Sequence, residues 1–400
     1  MAADEILISA LPQDRRAAAR LKGDLVQLVF DAGCGLRLGD LRVGRITALA
    51  PALGGAFVDI GAAQPGLLMQ GDLPDRRLAE GETVAVRVVR LPVGNKGAKL
   101  DARLPDGITV PASMPAPGLI APGEDPIVAL VGAAAGGAAL RRVVVDDPSL
   151  LSALRATVPA AASILELWRG PRPLFEAEGI DEAVGAALAA EVPLPSGGRV
   201  IIAETEAIVA INVDSGATAA ASPRSAALAC NIEAAVAIGR HIRLRDLAGP
   251  IVVDFVPLRR RAERERVVRA LQQALAADDR RWRIAGWTNL GLLEMVRERR
   301  GPSLRRRLTG ACPACSGDGA VRDARWVAGD ALRAALAAGW DPATGVPAVM
   351  AAPAVAAALR ENLGDARRAV EERLGCPLAV HADPALAPDA FRLTTAAAAR

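Results

Sequence analysis

The chain has 400 residues, 52% of them hydrophobic and 23% charged, with a formal net charge of +3 and five cysteines. This composition excludes a disordered tail and a disulfide-rich scaffold, and it indicates a globular protein of two to four domains. Because no apolar run approaches the roughly 18 to 20 residues of a membrane helix and the N-terminus lacks a signal-peptide pattern, we expect a cytoplasmic protein without a membrane segment.

Residues 36–103 contain five short segments of β-strand character separated by glycine and proline. Their sequences are LRVGRITALA, GGAFVDIGAA, PGLLMQG, ETVAVRVVRL and GAKLDARL, a spacing typical of a small barrel of the OB type. Phe57 alternates with Val58 and Ile60, so it could stack on a nucleic-acid base from an exposed face of the barrel, with Lys96 on the last turn. A position in the barrel core is the alternative for Phe57, and the pattern alone favours it.

The segment 104–138 is rich in Pro, Gly and Ala, which is typical of a linker or a shortened insertion. After it, LRRVVVDDPSLLSAL predicts a strand and a helix, and GIDEAVGAALAAEVPLP predicts a second helix. EAIVAINVD then predicts a strand, SAALACNIEAAVAIGRHIRLRDL a helix, and IVVDFV a strand buried on both faces of a sheet. Residues 320–400 are alanine-rich and predict a small α/β domain with CPLAVHAD as a strand.

Three side chains on these strands are candidates for metal binding. Asn212 and Asp214 lie two positions apart on one strand, so they project from the same face, and Asp254 interrupts the next strand. If the strands are neighbours, two carboxylates and an amide meet at one point, a set of hard oxygen ligands that suits magnesium and a substrate phosphate. The alternative, about equally supported by the spacing, is that Asp214 caps the following turn and Asp254 pairs with an arginine of 259–261.

Arginine is concentrated between Arg259 and Arg307, where fifteen arginines stand against six acidic residues. Such a cluster can neutralise the phosphates of a nucleic acid, and Arg259, Arg260 and Arg261 are the candidate contacts. A solvated helix face on which neighbouring glutamates pair with these arginines explains the pattern about as well.

The segment ACPACSGDGA contains one C-x-x-C pair, Cys312 and Cys315, followed by glycines that let the chain turn beneath two thiolates. A structural zinc ion normally takes four ligands, and the other cysteines and the histidines are scattered singly in the sequence. The economical completion is the same pair from a second chain, which predicts a zinc ion shared within a dimer. A redox-active pair is the alternative, although the usual thioredoxin-like setting is missing.

In order, and over nearly the whole chain, these segments resemble the bacterial ribonuclease E/G family. GRITALAPALGGAFVDIGAAQPGLL and GNKGAKL are similar to the RNA-binding barrel of that family. RPLFEAEGIDEAV, VPLPSGGRVIIAETEAIVAINVDSG, NIEAAVAIGRHIRLRDLAGPIVVDF and NLGLLEMVRERRGPSL are similar to its catalytic core and the approach to it, and CPACSGDG to its zinc link between subunits. The chain resembles a short member of the family without a long C-terminal scaffold.

The resemblance implies an α/β multidomain fold: an RNase H-like portion interrupted by an OB-type RNA-binding barrel, a DNase-I-like catalytic domain, a zinc link and a small C-terminal α/β domain. The expected boundaries are 1–35 and 139–200 for the RNase H-like portion, 36–103 for the barrel, 104–138 for a shortened linker or sensor remnant, 201–310 for the catalytic domain, 311–319 for the zinc link and 320–400 for the C-terminal domain.

The resemblance also implies cleavage of single-stranded RNA with magnesium held by two aspartates, in RNA processing or decay, by a homodimer or tetramer. Asp254 matches the second of these aspartates. The first falls on Asn212, and the asparagine that normally follows two residues later falls on Asp214, so the pair is exchanged. A family arginine that belongs to the pocket for a 5′-monophosphate falls on Asn289.

The sequence therefore supports two functions. The first is a magnesium-dependent endoribonuclease in which Asp254 and Asp214 hold the ion, Asn212 orients ligands and a metal-activated water attacks a phosphodiester. The second is an RNA-binding protein of the same fold whose cleavage is weak or lost owing to the exchange of Asn212 and Asp214.

Overall fold

The described residues of the computed structural model are 3–31, 35–72, 78–108, 114–137, 139–216, 223–338 and 345–396. The chain divides into two compact units, Met1–Leu308 and Thr309–Arg400. None of the helices in the described ranges is long and apolar enough to cross a membrane.

The first unit begins with three antiparallel strands, β1 (Glu5–Leu11), β2 (Asp14–Leu21) and β3 (Asp24–Asp31). Successive side chains of β1 enter two different cores, Ile6 and Ile8 on one side and Leu7 on the other. Because strand side chains alternate, this sheet is covered on both faces.

A closed five-stranded barrel follows, formed by β4 (Leu41–Ala50), β5 (Gly55–Asp59), β6 (Gly66–Met69), β7 (Thr83–Arg90) and β8 (Lys99–Asp101). Neighbouring strands run in the order β5-β6-β8-β7-β4, and β4 also pairs with β5, which closes the barrel. Val58, Ile60, Leu68 and Leu100 fill its core. All five predicted strands of the OB-like barrel are confirmed.

The segment expected to be a linker contains β9 (Gly118–Ala121), which pairs with β4, and α1 (Pro126–Ala135). Asp125 caps α1 by accepting hydrogen bonds from the backbone N–H groups of Ile127 and Val128, at 2.9 and 3.3 Å. Ile127 is fully buried in the core of the first sheet. The segment therefore adds a strand to the barrel sheet and a helix to the core of the first sheet. Its high alanine and glycine content concealed the apolar face of that helix.

The first sheet is completed by β10 (Arg142–Val145) and β11 (Leu165–Leu167), with α2 (Pro148–Thr157) between them. β10 runs parallel to β1, and the strand order is β11-β10-β1-β2-β3. The short α3 (Leu174–Ala177) and α4 (Ile180–Leu188) follow. The predicted strand and two helices of this module are confirmed, and the barrel is inserted between two halves of one sheet.

A six-stranded sheet forms the rest of the first unit. Its strands are β12 (Glu191–Pro193), β13 (Arg199–Glu204), β14 (Val209–Asp214), β15 (Gly249–Asp254), β16 (Trp282–Trp287) and β17 (Leu293–Arg297), in the order β12-β13-β14-β15-β17-β16. The helices are α5 (Pro223–Leu244), α6 (Arg261–Leu275) and α7 (Leu304–Leu308). The predicted strand, helix and strand are confirmed as β14, α5 and β15, and the structure shows that β14 and β15 are parallel neighbours.

Helices α5 and α6 pack on one face of this sheet. The strand residues buried beneath them include Ile211, Val213, Ile251 and Val253. On the opposite face Val252 is half-buried and Asp254 is exposed. The prediction that the IVVDFV strand is buried on both faces is therefore wrong, because within the described chain the helices cover this strand on one side.

The second unit contains a three-stranded sheet of order β19-β18-β20 with helices packed against it. Its elements are α8 (Ala324–Ala337), β18 (Val346–Ala351), α9 (Pro353–Ala357), α10 (Gly364–Leu374), β19 (Ala379–Ala382) and β20 (Phe391–Ala396). The predicted α/β character and the strand in CPLAVHAD are confirmed.

A buried amide on α5 fixes the chain just after β15. Asn231 is fully buried; its Nδ2 donates to the carbonyl oxygen of Val256 at 2.8 Å, and its Oδ1 accepts from the N–H of Val256 at 3.0 Å. Val256 lies two residues after Asp254, so this double hydrogen bond holds the end of the strand against the crossover helix.

Replacing Asn231 by Ala should lower the free energy of unfolding by about 1 to 3 kcal/mol, because two backbone groups of Val256 lose their partners away from water. Urea denaturation measures the change. Gln272→Ala removes an exposed amide from α6 and should change the free energy by less than about 0.5 kcal/mol. A loss in Asn231→Ala no larger than in this control would contradict the assigned role.

Candidate active site

Asn212 and Asp254 lie directly opposite each other in the parallel pairing of β14 with β15. Paired residues on neighbouring strands project from the same face, and the strands are about 4.8 Å apart. Both side chains are exposed. A ligand on the open face of the sheet can therefore reach the amide and the carboxylate together.

Asp254 forms no hydrogen bond or ion pair with the described residues, and the same holds for Asn212. The alternative in which Asp254 pairs with an arginine of 259–261 is therefore not seen in this part of the chain. Because Asp254 is exposed, its carboxylate keeps its hydration without a partner, and it remains available to a cation.

Asp214 projects from the same face but already has partners. Its Oδ2 accepts hydrogen bonds from Nε and Nη2 of Arg199 at 3.1 and 3.0 Å, and its Oδ1 accepts from the N–H of Gly216 at 3.0 Å. The N–H of Gly216 and the Arg199 guanidinium lower the pKa of the Asp214 carboxyl. The sequence alternative had two parts, a turn capped by Asp214 and an ion pair of Asp254 with an arginine of 259–261. The structure contains the first part, because Asp214 accepts a hydrogen bond from the turn at Gly216.

The donor atoms on the open face fit a magnesium ion. One carboxylate and one amide oxygen lie side by side, which leaves room for the several waters and phosphate oxygens that magnesium keeps. Among the described residues no group of three or more His, Cys, Asp or Glu is placed to hold a metal, so the chain would supply few ligands itself. Asn212 and Asp254 are the residues that would hold such an ion, with Asp214 two positions from Asn212 on the same strand.

Arginines surround a groove at the start of α6. The groove has a volume of ≈ 590 Å³, and its lining includes Arg259, Arg261, Arg264, Arg269 and Trp287. The Arg264 guanidinium lies 5.2 Å from the centre of the Trp287 ring, and Arg261 pairs with Glu265 at 2.9 Å. The groove therefore joins several positive charges to an aromatic side chain, while one of its arginines pairs along the helix.

Arg260 takes a different place from its two neighbours. Its backbone N–H donates to Oε2 of Glu263 at 3.3 Å at the first turn of α6. Its side chain is exposed. The structure brings Arg259 and Arg261 together in the groove and leaves Arg260 outside its lining.

Phe57 lies on the outer face of the barrel. It is half-buried and stands outside the core, which the alternating Val58 and Ile60 occupy. The core position favoured by the sequence pattern is therefore wrong. Phe57 is opposite Leu67, and Leu67 is opposite Lys99, so the three form one row across β5, β6 and β8.

Lys96 is exposed on the turn before β8, where its backbone pairs with Val93. The barrel thus presents an aromatic ring and two lysines to solvent, Lys96 on the turn and Lys99 in the row with Phe57. Cations beside an aromatic ring are the usual elements of a surface that binds single-stranded nucleic acid.

The CPACSGDG segment places its two cysteines at one turn. Cys312 is exposed and Cys315 half-buried, and the N–H of Gly319 donates to Sγ of Cys315 at 3.3 Å. Hydrogen bonds from the backbone N–H groups of Cys315 and Ala314 lower the pKa of the Cys312 thiol. A stabilised thiolate is the form that binds zinc.

Of the other cysteines, Cys230 is buried in the core of the six-stranded sheet and Cys376 is half-buried in the second unit. Cys34 lies outside the described residues. The CPACSGDG segment supplies two thiolates, half of a tetrahedral site.

Sequence reasoning missed several residues around the site. Arg199, which binds Asp214, is a strand residue whose partner is set by the register of the β13–β14 hairpin. Asn231 lies within helix α5 and was not singled out. A polar residue on the apolar face of a helix could have indicated a buried hydrogen bond. Arg264 and Trp287 meet only through the packing of α6 against the end of β16, which no local pattern reports.

Comparison with known proteins gives consistent matches. Residues 108–300 match the model of the ribonuclease E/G family. Ribonuclease G of Salmonella typhimurium is 34% identical over 252 residues, which cover 62% of this chain and 52% of that protein. Ribonuclease E of Escherichia coli is 38% identical over 187 residues, or 45% of this chain and 18% of that protein.

Ribonuclease G of Haemophilus influenzae is 27% identical over 432 aligned residues, which cover 83% of this chain and 87% of that protein. The chain spans about half the length of the Salmonella ribonuclease G and a smaller part of ribonuclease E. The matched region contains β14, α5 and β15, and it follows an OB-like barrel directly. The chain belongs to the ribonuclease E/G family.

Proposed function

We propose that this protein is a magnesium-dependent endoribonuclease that cleaves single-stranded RNA in RNA processing or decay. The observation that carries the proposal is the placement of Asn212 opposite Asp254 on the open face of the sheet, within the region matched by the family. In this proposal the six-stranded sheet with α5 and α6 is the catalytic domain. The reaction is hydrolysis of a phosphodiester that leaves a 3′-hydroxyl and a 5′-phosphate.

Each side chain has a distinct role in this proposal. Asp254 supplies the carboxylate that holds the ion, and Asn212 supplies an amide oxygen that orients the ion and the phosphate. Asp214 supports the site from two residues along the strand. A magnesium ion bound there would lower the pKa of a coordinated water and neutralise charge in the transition state.

Two surfaces of the first unit suit the RNA substrate. The outer row of the barrel offers Phe57 for stacking and Lys99 for a phosphate, with Lys96 nearby. The groove at α6 adds the guanidinium groups of Arg259 and Arg261. Stacking needs unpaired bases, and phosphate contacts need no particular sequence, so these surfaces favour single-stranded RNA.

One observation favours the second candidate, an RNA-binding protein with weak or lost cleavage. Both carboxylate oxygens of Asp214 accept hydrogen bonds from the protein itself. A site in which Asp254 is the one carboxylate without a protein partner binds a divalent cation less strongly than a site with two. We favour the enzyme because Asn212 and Asp254 remain available and adjacent.

The first test is cleavage of a labelled single-stranded RNA with and without magnesium. Asp254→Asn should abolish cleavage while RNA binding is retained, because the ion loses its charged ligand. Glu206→Gln removes another exposed carboxylate, on the turn between β13 and β14, and should leave the rate unchanged. Full activity in Asp254→Asn would refute the assignment, and a wild-type protein that binds RNA but never cuts it would favour the second candidate.

The double variant Asn212→Asp with Asp214→Asn extends this test. It places a carboxylate directly opposite Asp254, so the rate should rise, and misplacement of a catalytic group by about an ångström can cost about a hundredfold. Asp214→Asn alone should nearly abolish cleavage if Asp214 supports the ion. If Asp214→Asn keeps full activity, Asp214 has no part in catalysis.

Phe57→Ala should weaken binding of single-stranded RNA by about 1 to 3 kcal/mol if the ring stacks on a base. Fluorescence anisotropy with a labelled RNA measures the affinity, and circular dichroism checks that the barrel is folded. Leu119→Ala, at an exposed apolar side chain of β9 away from the row, is the control. Equal affinities for both variants would exclude the stacking role.

We also propose a zinc ion shared by the Cys312–Cys315 pairs of two chains, in a homodimer or a tetramer. Metal analysis should find about one zinc per two chains, and Cys312→Ser should dissociate the dimer in sedimentation experiments. Cys376→Ser, in the same unit, should keep both zinc and dimer. One zinc per chain, or an unchanged dimer in Cys312→Ser, would overturn the proposal.

A further inference from the structure

A positively charged side chain, Arg199, lies beside the candidate metal site. It lies opposite Asp214 in the antiparallel pairing of β13 with β14, and its Nε and Nη2 both donate to Oδ2 of Asp214. Its Nη1 also donates to Oε2 of Glu191 at 3.1 Å. One guanidinium therefore bridges two carboxylates at the edge of the open face.

This arrangement withdraws Asp214 from the site. Oδ2 accepts hydrogen bonds from Nε and Nη2 of Arg199, and Oδ1 accepts one from the N–H of Gly216, so a metal ion that binds the carboxylate directly must compete with these donors. Asp214 and Asn212 are two residues apart on one strand, about 6 to 7 Å. The guanidinium thus lies close enough to a divalent ion at Asn212 to repel it.

The size of this repulsion can be estimated. A doubly charged ion and a guanidinium about 7 Å apart in water-like surroundings repel each other enough to weaken binding by about sevenfold without screening and by about twofold to threefold at ordinary salt. The pair is also easy to open, because the Arg199 and Asp214 side chains are 48% and 41% exposed and exposed ion pairs contribute little to stability. Arg199 can therefore compete with the ion without locking the site.

We propose that Arg199 is a positioning residue that holds Asp214 out of the metal site and sets the concentration of divalent ion that the site requires. The inference rests on the proposed metal site at Asn212 and Asp254. Removing the positive charge frees the carboxylate as a ligand and removes the repulsion, so the two effects act in the same direction.

The test is manganese binding to the full chain without RNA, followed by electron paramagnetic resonance. Arg199→Gln should bind Mn²⁺ about twofold to sevenfold more tightly than wild type, with the larger gain at low salt. Arg199→Lys keeps the charge and should stay close to wild type. Adding Asp254→Asn to Arg199→Gln should remove the gain, which locates the ion at this site.

Arg142 provides a matched control. It is also a strand arginine that bridges two carboxylates, Glu5 and Glu166, each at 3.0 Å, and it lies in the other sheet of the first unit. Arg142→Gln should leave the manganese affinity unchanged. An equal gain in Arg142→Gln, an unchanged affinity in Arg199→Gln, or no manganese binding in any variant would overturn the inference.

Cleavage assays separate this inference from the proposed function. The magnesium concentration for half-maximal cleavage should fall in Arg199→Gln by the same factor as the manganese dissociation constant. If Arg199 controls manganese binding but no variant cuts RNA, the proposed activity fails and the inference stands. If RNA is cut but Arg199→Gln changes neither quantity, the inference fails alone.

Discussion

The parallel pairing of β14 with β15 sets which side chains meet at the candidate site, because it places Asn212 beside Asp254. Parallel neighbouring strands need a crossover connection, and α5 provides it. The same helix covers the face of both strands that lies opposite the open face. A slip of one residue would turn Asp254 toward the helices and Val253 toward solvent. Burial of the apolar residues therefore enforces the register, and Asn231 secures the end of β15.

The open face explains why charged groups can collect at this point. A carboxylate that faces solvent keeps its hydration, so Asp254 needs no partner, whereas the same group beneath α5 would need a cation or several donors. Asp214 shows the other solution, since Arg199 and Gly216 take both of its oxygens. Of these two aspartates, Asp254 has no hydrogen-bond partner among the described residues, and Asp214 is held by Arg199 and Gly216.

Much of the architecture was predictable because it depends on local patterns. The barrel strands follow from alternation and turn residues, and the strand, helix and strand around Asn212 follow from their lengths and apolar content. From that unit the proximity of Asn212 and Asp254 could be expected, since sequential parallel strands are usually neighbours. The site residues themselves stay predictions until their variants are measured.

Other features depend on tertiary packing and could not be predicted. The apolar run at β15 suggested two buried faces, but the helices cover one. Alanine and glycine around it concealed α1, which packs through Ile127, Leu130 and Val131. Phe57 pointed outward because its neighbours Val58 and Ile60 filled the core, and the contact of Arg199 with Asp214 required the hairpin register.

The most direct test of the account is the position of a metal ion on the open face. Crystals grown with Mn²⁺ and a non-cleavable single-stranded RNA, with data collected at the manganese edge, should show an anomalous peak at the Asp254 carboxylate, beside Asn212. Direct ligation of a hard cation would place the peak about 2.0 to 2.6 Å from a carboxylate oxygen. An ordered RNA on this face with no peak there, or a peak elsewhere while Asp254 carries only water, would contradict the proposed site.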